Sequence, residues 1–368
     1  MNQIAFLSYD MSIGGAEKMI TVLIRQFIRE GFPVDLVLVK KNGAFLQEID
    51  SQARVISLNQ EHIRNSISGL AKYLSEEKPS VVISSLTHIN LAAVIARKRA
   101  KSNTKLILIE HNTISKNNLA QGIKEKILTL LAHHYYPKAD RIVVVSKGSA
   151  RDLEDTLRIP SALIVPIYNP LDLVEINRKK EETPDHQWLQ NKNKPVLLAV
   201  GRLTKAKNFS FLLNVFAEVV KNSDCKLIIL GEGEERGNLE KQIRQLNLEN
   251  SVDLPGLKSN PYPYLANADI LLCSSDYEGF NLTIAESLAC GTPVISVDCP
   301  HGPAEILANG KYGKLTPVGD LQTMKNAILE TLTEPPDDER KKELLGRAND
   351  FSAESIFSQY YNLIKSIK

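Results

Sequence analysis

Along the chain, short apolar runs rich in β-branched residues alternate with longer stretches whose apolar positions recur every three or four residues. QIAFLSY, VDLVLV, VVISS, KLILIE and RIVVVS mark five strands in the first half, and PVLLAV, KLIILG, ILLCSS and PVISV mark four in the second. Runs of that kind predict strands buried on both faces, with the amphipathic stretches between them as crossovers of parallel sheets. At 368 residues the chain exceeds one ordinary domain and suits two of roughly 170. The pattern places a first α/β domain at 1–170 and a second at 171–351, the latter opening with a polar, turn-rich linker, 177–194. In the last stretch, 352–367, Ile356, Tyr360, Leu363 and Ile364 fall at helical spacing and predict a terminal helix.

The segment SSDYEGFNLTIAESLACG carries two glutamates eight positions apart, Glu278 and Glu286. A strand ending near Ser275, a loop over 276–281 and a helix over 282–290 closed by Gly291 fit its pattern. Glu286 is the only charged residue of that helix, among Leu282, Thr283, Ala289 and Cys290. A helix apolar all round is buried, and a buried carboxylate is costly unless partnered. It either ties down a neighbouring loop or receives hydroxyl groups of a ligand lying over the helix N-terminus. Asn281 is the expected N-cap, which leaves the Leu282 and Thr283 N–H groups for an anion. Glu278 precedes them at the carboxyl end of a strand, where open α/β sheets bind ligands. Anion donors flanked by two carboxylates suit a molecule with phosphate in the middle and hydroxyls at both ends, the form of a nucleotide sugar.

Cations are offered by the loop GRLTKAKN, between the strand 195–200 and the amphipathic helix 209–220. Arg202 supplies a fork for phosphate oxygens and Lys207 a point charge. Nearby, Gly231-Glu-Gly233-Glu-Glu-Arg-Gly237 imitates a dinucleotide fingerprint, but its last gap is one residue too long and its three acids would repel a pyrophosphate. It reads as a turn into a helix over 238–246.

Charge is divided between the halves. Residues 1–170 carry 22 Lys/Arg against 15 Asp/Glu, a net of +7, and the remainder 23 against 28, a net of −5. A basic half points to an anionic surface or substrate. Part of it closes a helix at Arg97-Lys98-Arg99-Ala100-Lys101, where cations are favoured by the helix dipole in any case. Another part lies in 115–138, read as an amphipathic helix with Ile123, Ile127, Leu130 and Leu131 on one side and Lys116, Lys124 and Lys126 elsewhere. That helix either packs on the core or touches a membrane or a polyprenyl diphosphate. Aromatic residues are few and no stacking-plus-basic pattern occurs, so no nucleic acid partner is expected. MNQIAFLSYD reads as a strand rather than a leader, and no run is long and apolar enough to span a membrane. Cys225, Cys273, Cys290 and Cys299 form no C-x-x-C pair, which argues against zinc and for a reducing cytoplasmic setting. No Asp-x-Asp motif suggests a metal-held diphosphate.

The first half has its own candidates at strand ends. Gly14 and Gly15 join the first strand to the first helix and let backbone approach a ligand, or make the turn. His111 follows KLILIE directly, and Ser146-Lys147-Gly148 follows the next strand, where it could meet an acceptor phosphate.

The runs GRLTKAKN, LIILGEGEER and SSDYEGFNLTIAESLACGTPVISVDCPHGPAEIL, with SIGGAEK near the start, EHN at 110–112 and YNPLD at 168–172, occur in a familiar order. Together they resemble the retaining glycosyltransferases of family four, over nearly the whole chain, and most closely the branch that extends bacterial lipid-linked oligosaccharides, capsules and lipopolysaccharide. The resemblance implies the GT-B fold: two Rossmann-like doubly wound domains facing an active-site cleft, with the terminal helix crossing back to the first domain. It implies no cofactor and no metal, a nucleotide-sugar donor (a UDP-sugar in that branch), and a glycan or polyprenyl-diphosphate-linked acceptor met at the inner-membrane surface from the cytoplasmic side. It also places the loop of Gly14 and Gly15 against the donor and His111 beside the transferred sugar. Arg202, Lys207 and the amides of Leu282 and Thr283 would then stabilise the departing diphosphate. Glu286 would hold the ribose hydroxyls, and Glu278, with the backbone from Phe280 through Asn281 to Thr283, the sugar and diphosphate. Lys147 and Lys124 are the acceptor-side candidates. Two other classes stay open: a sugar-nucleotide epimerase or phosphorylase on the same fold, and a non-catalytic glycan-assembly scaffold.

Overall fold

The computed structural model describes residues 3–12, 14–111, 113–115 and 122–367, without the side chains of 123–125. It divides the chain into two compact units, Met1–Pro170 with Ala353–Lys368, and Leu171–Ser352.

The first unit is a parallel sheet of seven strands: β1 (Ile4–Ser8), β2 (Val34–Leu38), β3 (Arg54–Ser57), β4 (Val81–Ser85), β5 (Lys105–Glu110), β6 (Arg141–Val144) and β7 (Ile164–Pro166), in spatial order 3-2-1-4-5-6-7. The second unit has six: β8 (Val196–Val200), β9 (Lys226–Leu230), β10 (Val252–Gly256), β11 (Ile270–Cys273), β12 (Val294–Val297) and β13 (Lys314–Thr316), in order 10-9-8-11-12-13. All the pairings are parallel; Ile4, for example, stands beside Val34 on one side and Val81 on the other. The apolar runs read from sequence are the inner strands, with every residue of β1, β2 and β4 buried. The four strands those runs did not mark, β3, β7, β10 and β13, are the four sheet edges. An edge strand is half exposed and has no need of a continuous apolar run, so its signal is short and mixed.

In both sheets the chain reverses its direction of strand addition once, between β1 and β4 and between β8 and β11. Such a reversal opens a crevice outside the carboxyl ends of the two central strands, because the loops leaving them turn to opposite sides. The crevice of the second unit is bounded by the loops after β8 and β11, which carry Arg202, Lys207 and Glu278. That of the first is bounded by the loops after β1 and β4, with His111 following the neighbouring β5.

The segment 177–194 is an ordered part of the second unit. It takes in the end of the helix Leu173–Lys179 and the turn Gln187–Gln190, a hydrogen bond between His186 Nε2 and Asp253 Oδ2 at 2.9 Å, and one from Tyr264 Oη to the Asp185 carbonyl at 2.7 Å. The helix Ala353–Ser366 belongs to the first unit. Its Phe357 packs edge-on against Phe27 at 4.8 Å, and Tyr361 stacks on Phe357 and meets Phe32 edge-on. Phe27 in turn packs on Phe6 of β1. The helix is thus anchored to the sheet through a chain of rings. Phe357 is buried, so Phe357→Ala should destabilise the first unit by about 3 kcal/mol, the usual cost of an aromatic-sized cavity. Denaturant unfolding followed in the first unit should show the lowered midpoint.

Candidate active site

The site of the second unit is built where two loops are braided together. After β8, Gly201 to Asn208 make a short 3₁₀ turn over Lys205–Lys207, and Asn208 adopts a left-handed conformation, φ 47°. From there its side chain caps the helix Phe209–Val219 by accepting from the Phe211 N–H at 3.2 Å. The loop that carries Arg202 is zipped onto the turn after β9, with Gly201 N–H donating to the Leu230 carbonyl and Leu203 N–H to that of Glu232, both at 2.9 Å. This contact accounts for the glycine pair. A Cβ on Gly231 would lie 1.9 Å from the Gly201 oxygen, and one on Gly233 would lie 2.3 Å from the Leu203 oxygen. Gly231 and Gly233 serve backbone packing, and the helix that follows runs Arg236–Gln245, starting two residues before its sequence-based bound.

The loop after β11 locks onto the first. Ser274 Oγ donates to the Lys207 carbonyl at 2.8 Å, Asp276 N–H to the Ala206 carbonyl at 2.9 Å, and Asn208 Nδ2 to Asp276 Oδ1 at 2.8 Å. At the centre Glu278 Oε1 accepts from Lys207 Nζ at 2.6 Å, Ser275 Oγ at 2.6 Å and Asn281 Nδ2 at 3.0 Å. The Lys207 and Glu278 side chains keep only 25% and 12% of their exposure. Burial alone would lower the Lys207 pKa, but the Glu278 carboxylate outweighs it and the pKa ends raised. Lys207 is therefore an ammonium at any cellular pH. It is not the isolated phosphate cation expected from sequence, since one of its three donors is already committed to a carboxylate.

The loop after β12 buttresses this arrangement. Glu278 N–H reaches the Pro300 carbonyl at 3.4 Å, and His301 and Gly302 both have positive φ, 67° and 92°. A Cβ on Gly302 would sit 3.3 Å from the Gly279 oxygen. Ser275, Asn208, Asp276 and the 300–302 turn were not singled out from sequence. A serine and an asparagine beside glycine-containing loops are ordinary, and only their tertiary partners, Glu278 for Ser275 and Asp276 for Asn208, give them meaning.

The helix Leu282–Cys290 has its expected bounds, closed by Gly291 in the left-handed conformation. Asn281 occupies the N-cap position but makes no side-chain cap bond; its amide goes to Glu278 instead. Among the described bonds none engages the Leu282 or Thr283 N–H, so both remain for an external acceptor. Phe280 is buried, its ring edge-on to Phe351 at 5.5 Å. Glu286 is buried, at 4% exposure, and Arg202 is exposed. Cys273 and Cys299 flank the pair as neutral thiols; burial pushes Cys273 up to about 12 and raises Cys299 further, so neither is a nucleophile.

In the first unit, the loop after β1 is braced by the loop after β2: Met11 N–H donates to the Asn42 carbonyl at 2.8 Å, and Phe45 N–H to that of Met11 at 3.0 Å. Gly14 is extended and precedes the helix Gly15–Arg29; a Cβ there would fall 2.3 Å from Glu17 Oε2. His111 is half-buried, with Nε2 2.8 Å from Ser85 Oγ, and burial lowers its pKa to about 4. Ser146 is the N-cap of Lys147–Leu157, accepting from Ser149 N–H, and Lys147 is exposed at that helix start. Asn112, Lys116 and the Lys124 side chain lie outside the described residues. The described turns of the 115–138 stretch, helix Ile123–Tyr135, bury Ala132 but expose Ile127, Leu130 and Leu131, so those three do not pack on the core. Among the described residues no three His, Cys, Asp or Glu side chains converge as a metal site, and no helix is long and apolar enough to cross a membrane.

Comparison with known proteins gives the site its context. Residues 13–175 match the model for Glycosyltransferase Family 4, and 180–344 that for Glycosyl transferases group 1. The chain is 30% identical over 363 residues to the N-acetylgalactosamine-N,N'-diacetylbacillosaminyl-diphospho-undecaprenol 4-alpha-N-acetylgalactosaminyltransferase of Campylobacter jejuni, covering 95% of this chain and 94% of that one. Among solved structures, the lipopolysaccharide outer core galactosyltransferase WaaB superposes with a TM-score of 0.74 at 22% identity, over 99% of both chains. HepE of Anabaena, in complex with UDP and glucose, does so with 0.80 at 20% identity, over 100% of both. Two parallel-sheet units of these strand orders are the GT-B fold. The chain is a glycosyltransferase of family 4.

Proposed function

We propose that this enzyme moves a hexose or N-acetylhexosamine from a UDP-sugar to a glycan acceptor carried on a lipid, with retention of anomeric configuration, in the assembly of a bacterial surface glycan. The observation that carries the donor side is the Lys207–Glu278 pair at the crevice of the second sheet, with exposed Arg202 on the same loop as Lys207 and the Leu282 and Thr283 amides at the helix that follows Glu278. Lys207 has two further N–H donors beyond the one on Glu278, so it can bridge the carboxylate and a diphosphate. With Arg202 and the Leu282 and Thr283 amides it would stabilise the negative charge that grows on the leaving UDP, and losing one such donor typically costs ~10²–10³ in rate. Charge neutralisation is assigned to these groups, without a metal or other cofactor. Glu286 is assigned to the ribose hydroxyls and Glu278 to the sugar. Neutral Cys273 and Cys299 offer no nucleophile, and Glu278 is held by three donors, so transfer on the leaving-group face without a covalent intermediate fits this site better than double displacement. The names of the relatives support the acceptor class: the Campylobacter protein acts on a diphospho-undecaprenol, and AmsD of Erwinia amylovora, 24% identical over 300 residues, is an amylovoran biosynthesis glycosyltransferase.

Peripheral contact with the cytoplasmic face of the membrane belongs to the same proposal. The helix Ile123–Tyr135 presents Leu130 at 68% and Ile127 at 52% exposure beside exposed Lys126. Beside it an open groove of about 450 Å³ runs between the helices Ile63–Glu76 and Thr87–Ala100, lined by Ile63, Ile67, Leu91, Ala92, Ile95 and Leu128 with Arg64 at its rim. Apolar side chains set among cations match an anionic lipid surface.

Two experiments test these assignments. UDP at 100 times its dissociation constant should stabilise the protein by about 2.7 kcal/mol and raise the thermal midpoint by several degrees. GDP and ADP should not, and Glu286→Ala and Arg202→Ala should abolish the shift. No shift with any nucleotide would overturn the donor site. For the membrane, vesicles containing anionic lipid should float the protein, and Ile127→Ser with Leu130→Ser should weaken binding roughly 100-fold, from about 1.5 kcal/mol for each side chain no longer buried. Unchanged flotation of the double variant would remove that surface from the proposal.

A further inference from the structure

At the carboxyl edge of the first sheet, the turn between β4 and the helix Thr87–Ala100 is wound in a conformation leucine seldom takes. Leu86 has φ 78° and ψ 139°, a region that is the province of glycine and costs other residues about 1–3 kcal/mol. Its surroundings over-determine it. The Leu86 N–H donates to the Ile109 carbonyl at 3.3 Å, and the Leu86 carbonyl accepts from Ile89 at 3.0 Å and Asn90 at 2.9 Å. Asn90 Nδ2 donates to the Ile109 carbonyl at 2.9 Å and to Tyr136 Oη at 3.1 Å, while Asn90 Oδ1 accepts from Ser84 Oγ at 2.7 Å. Tyr136 Oη and Thr87 Oγ1 both donate to Glu110 Oε2, at 2.7 and 2.9 Å. Ser84, Asn90, Glu110 and Tyr136 are each exposed by 1% or less. A buried network tied together by these bonds holds its members in one arrangement, and it clamps the ends of β4 and β5 to each other.

The clamp brings together Ser85, the last residue of β4, and His111, the first after β5. Ser85 is 1% exposed, and its Oγ lies 2.8 Å from His111 Nε2. Among the described residues neither the hydroxyl nor the ring makes another hydrogen bond. That decides the direction of the bond. If Nε2–H donated, the buried serine hydrogen would have no acceptor, which costs about 1–3 kcal/mol. If the serine donates, its buried hydrogen has an acceptor, and the ring hydrogen sits on Nδ1, left for an outside acceptor. With its pKa held near 4 by burial, the ring is neutral throughout the physiological range, so one nitrogen must accept while the other donates.

We propose that Ser85 is a positioning residue: by donating to His111 Nε2 from the strained turn, it fixes the imidazole plane and leaves Nδ1–H as the donor offered to the transferring sugar. The strain at Leu86 is then the cost of bringing a β4 side chain onto a β5 loop residue. The inference rests on His111 serving the sugar, and its test separates the two.

The experiment measures UDP release by the full chain, using whichever of UDP-N-acetylgalactosamine, UDP-N-acetylglucosamine, UDP-galactose or UDP-glucose supports turnover. Ser85→Ala should lower kcat by about 10–100-fold, the scale of a misplaced catalytic contact, with donor KM within twofold and the UDP-induced thermal shift unchanged. Ser85→Thr, which restores a hydroxyl, should recover most of the rate. In a His111→Ala background, Ser85→Ala should cost nothing further, because a residue that acts through another has no effect once that other is gone. A normal kcat for Ser85→Ala beside an inactive His111→Ala would overturn the role of Ser85 and leave His111 in place. An equal loss in both backgrounds would mark Ser85 as merely structural. A normal kcat for His111→Ala would overturn the role of His111 and, with it, this inference.

Discussion

A lysine and a glutamate from two separate loops share one hydrogen bond at the mouth of the second sheet, and the rest of the candidate site is arranged around that contact. Removing two charges from water costs several kcal/mol per ion after relaxation, and replacing such a pair by apolar residues is often neutral or stabilising. The Lys207–Glu278 pair is therefore weak evidence for stability and better evidence for a task. Ser275 and Asn281 both spend their side chains on the same oxygen, the latter giving up its cap bond to do so. A helix start without a side-chain cap, a lysine held charged and a carboxylate held still together set fixed charges and free donors at the end of the sheet.

The position of the pair follows from topology. Both sheets reverse strand order between their two central strands, and only there do adjacent loops part far enough to admit a ligand while their ends remain fixed by the sheet. Backbone chemistry then sets the fine placement. Gly231 and Gly233 allow the Arg202 loop to lie against the turn after β9, where any side chain would collide with its carbonyls, and the positive φ of Asn208 turns the chain directly into a helix. The first unit solves the same problem differently. At the end of β4 it uses a buried polar network and a strained leucine, which hold the end of β5 at the expense of backbone energy.

Much of this was legible in the sequence. Inner strands carry uninterrupted apolar runs, so the two sheets could be read directly, and the lone acid of the helix Leu282–Cys290 betrayed the burial of Glu286. Edge strands such as Arg54–Ser57 were missed because half exposure removes the signal. Three-dimensional partnerships were not legible either. Nothing in GRLTKAKN says that Lys207 will meet Glu278, 71 residues away, and nothing in VVISSLTH marks Ser85 as the partner of His111. Asn281 was placed correctly at a helix start, but its amide nitrogen donates to Glu278 while its oxygen makes no cap bond, an orientation that only the tertiary structure sets. The apolar side of Ile123–Tyr135 was recognisable from periodicity, yet whether it faced the core or the outside depended on neighbours that no local pattern encodes.

The most direct test of the central claim, that Lys207 and Glu278 act as one unit in donor chemistry, is a double-mutant cycle on sugar transfer with Lys207→Ala, Glu278→Ala and the combined variant. If the pair works as a unit, either single change should lower kcat by roughly 10²–10³ and the combination should cost little more than the worse of the two. If the two losses instead multiply, each residue acts on the substrate independently, and the ion pair has no part in transfer.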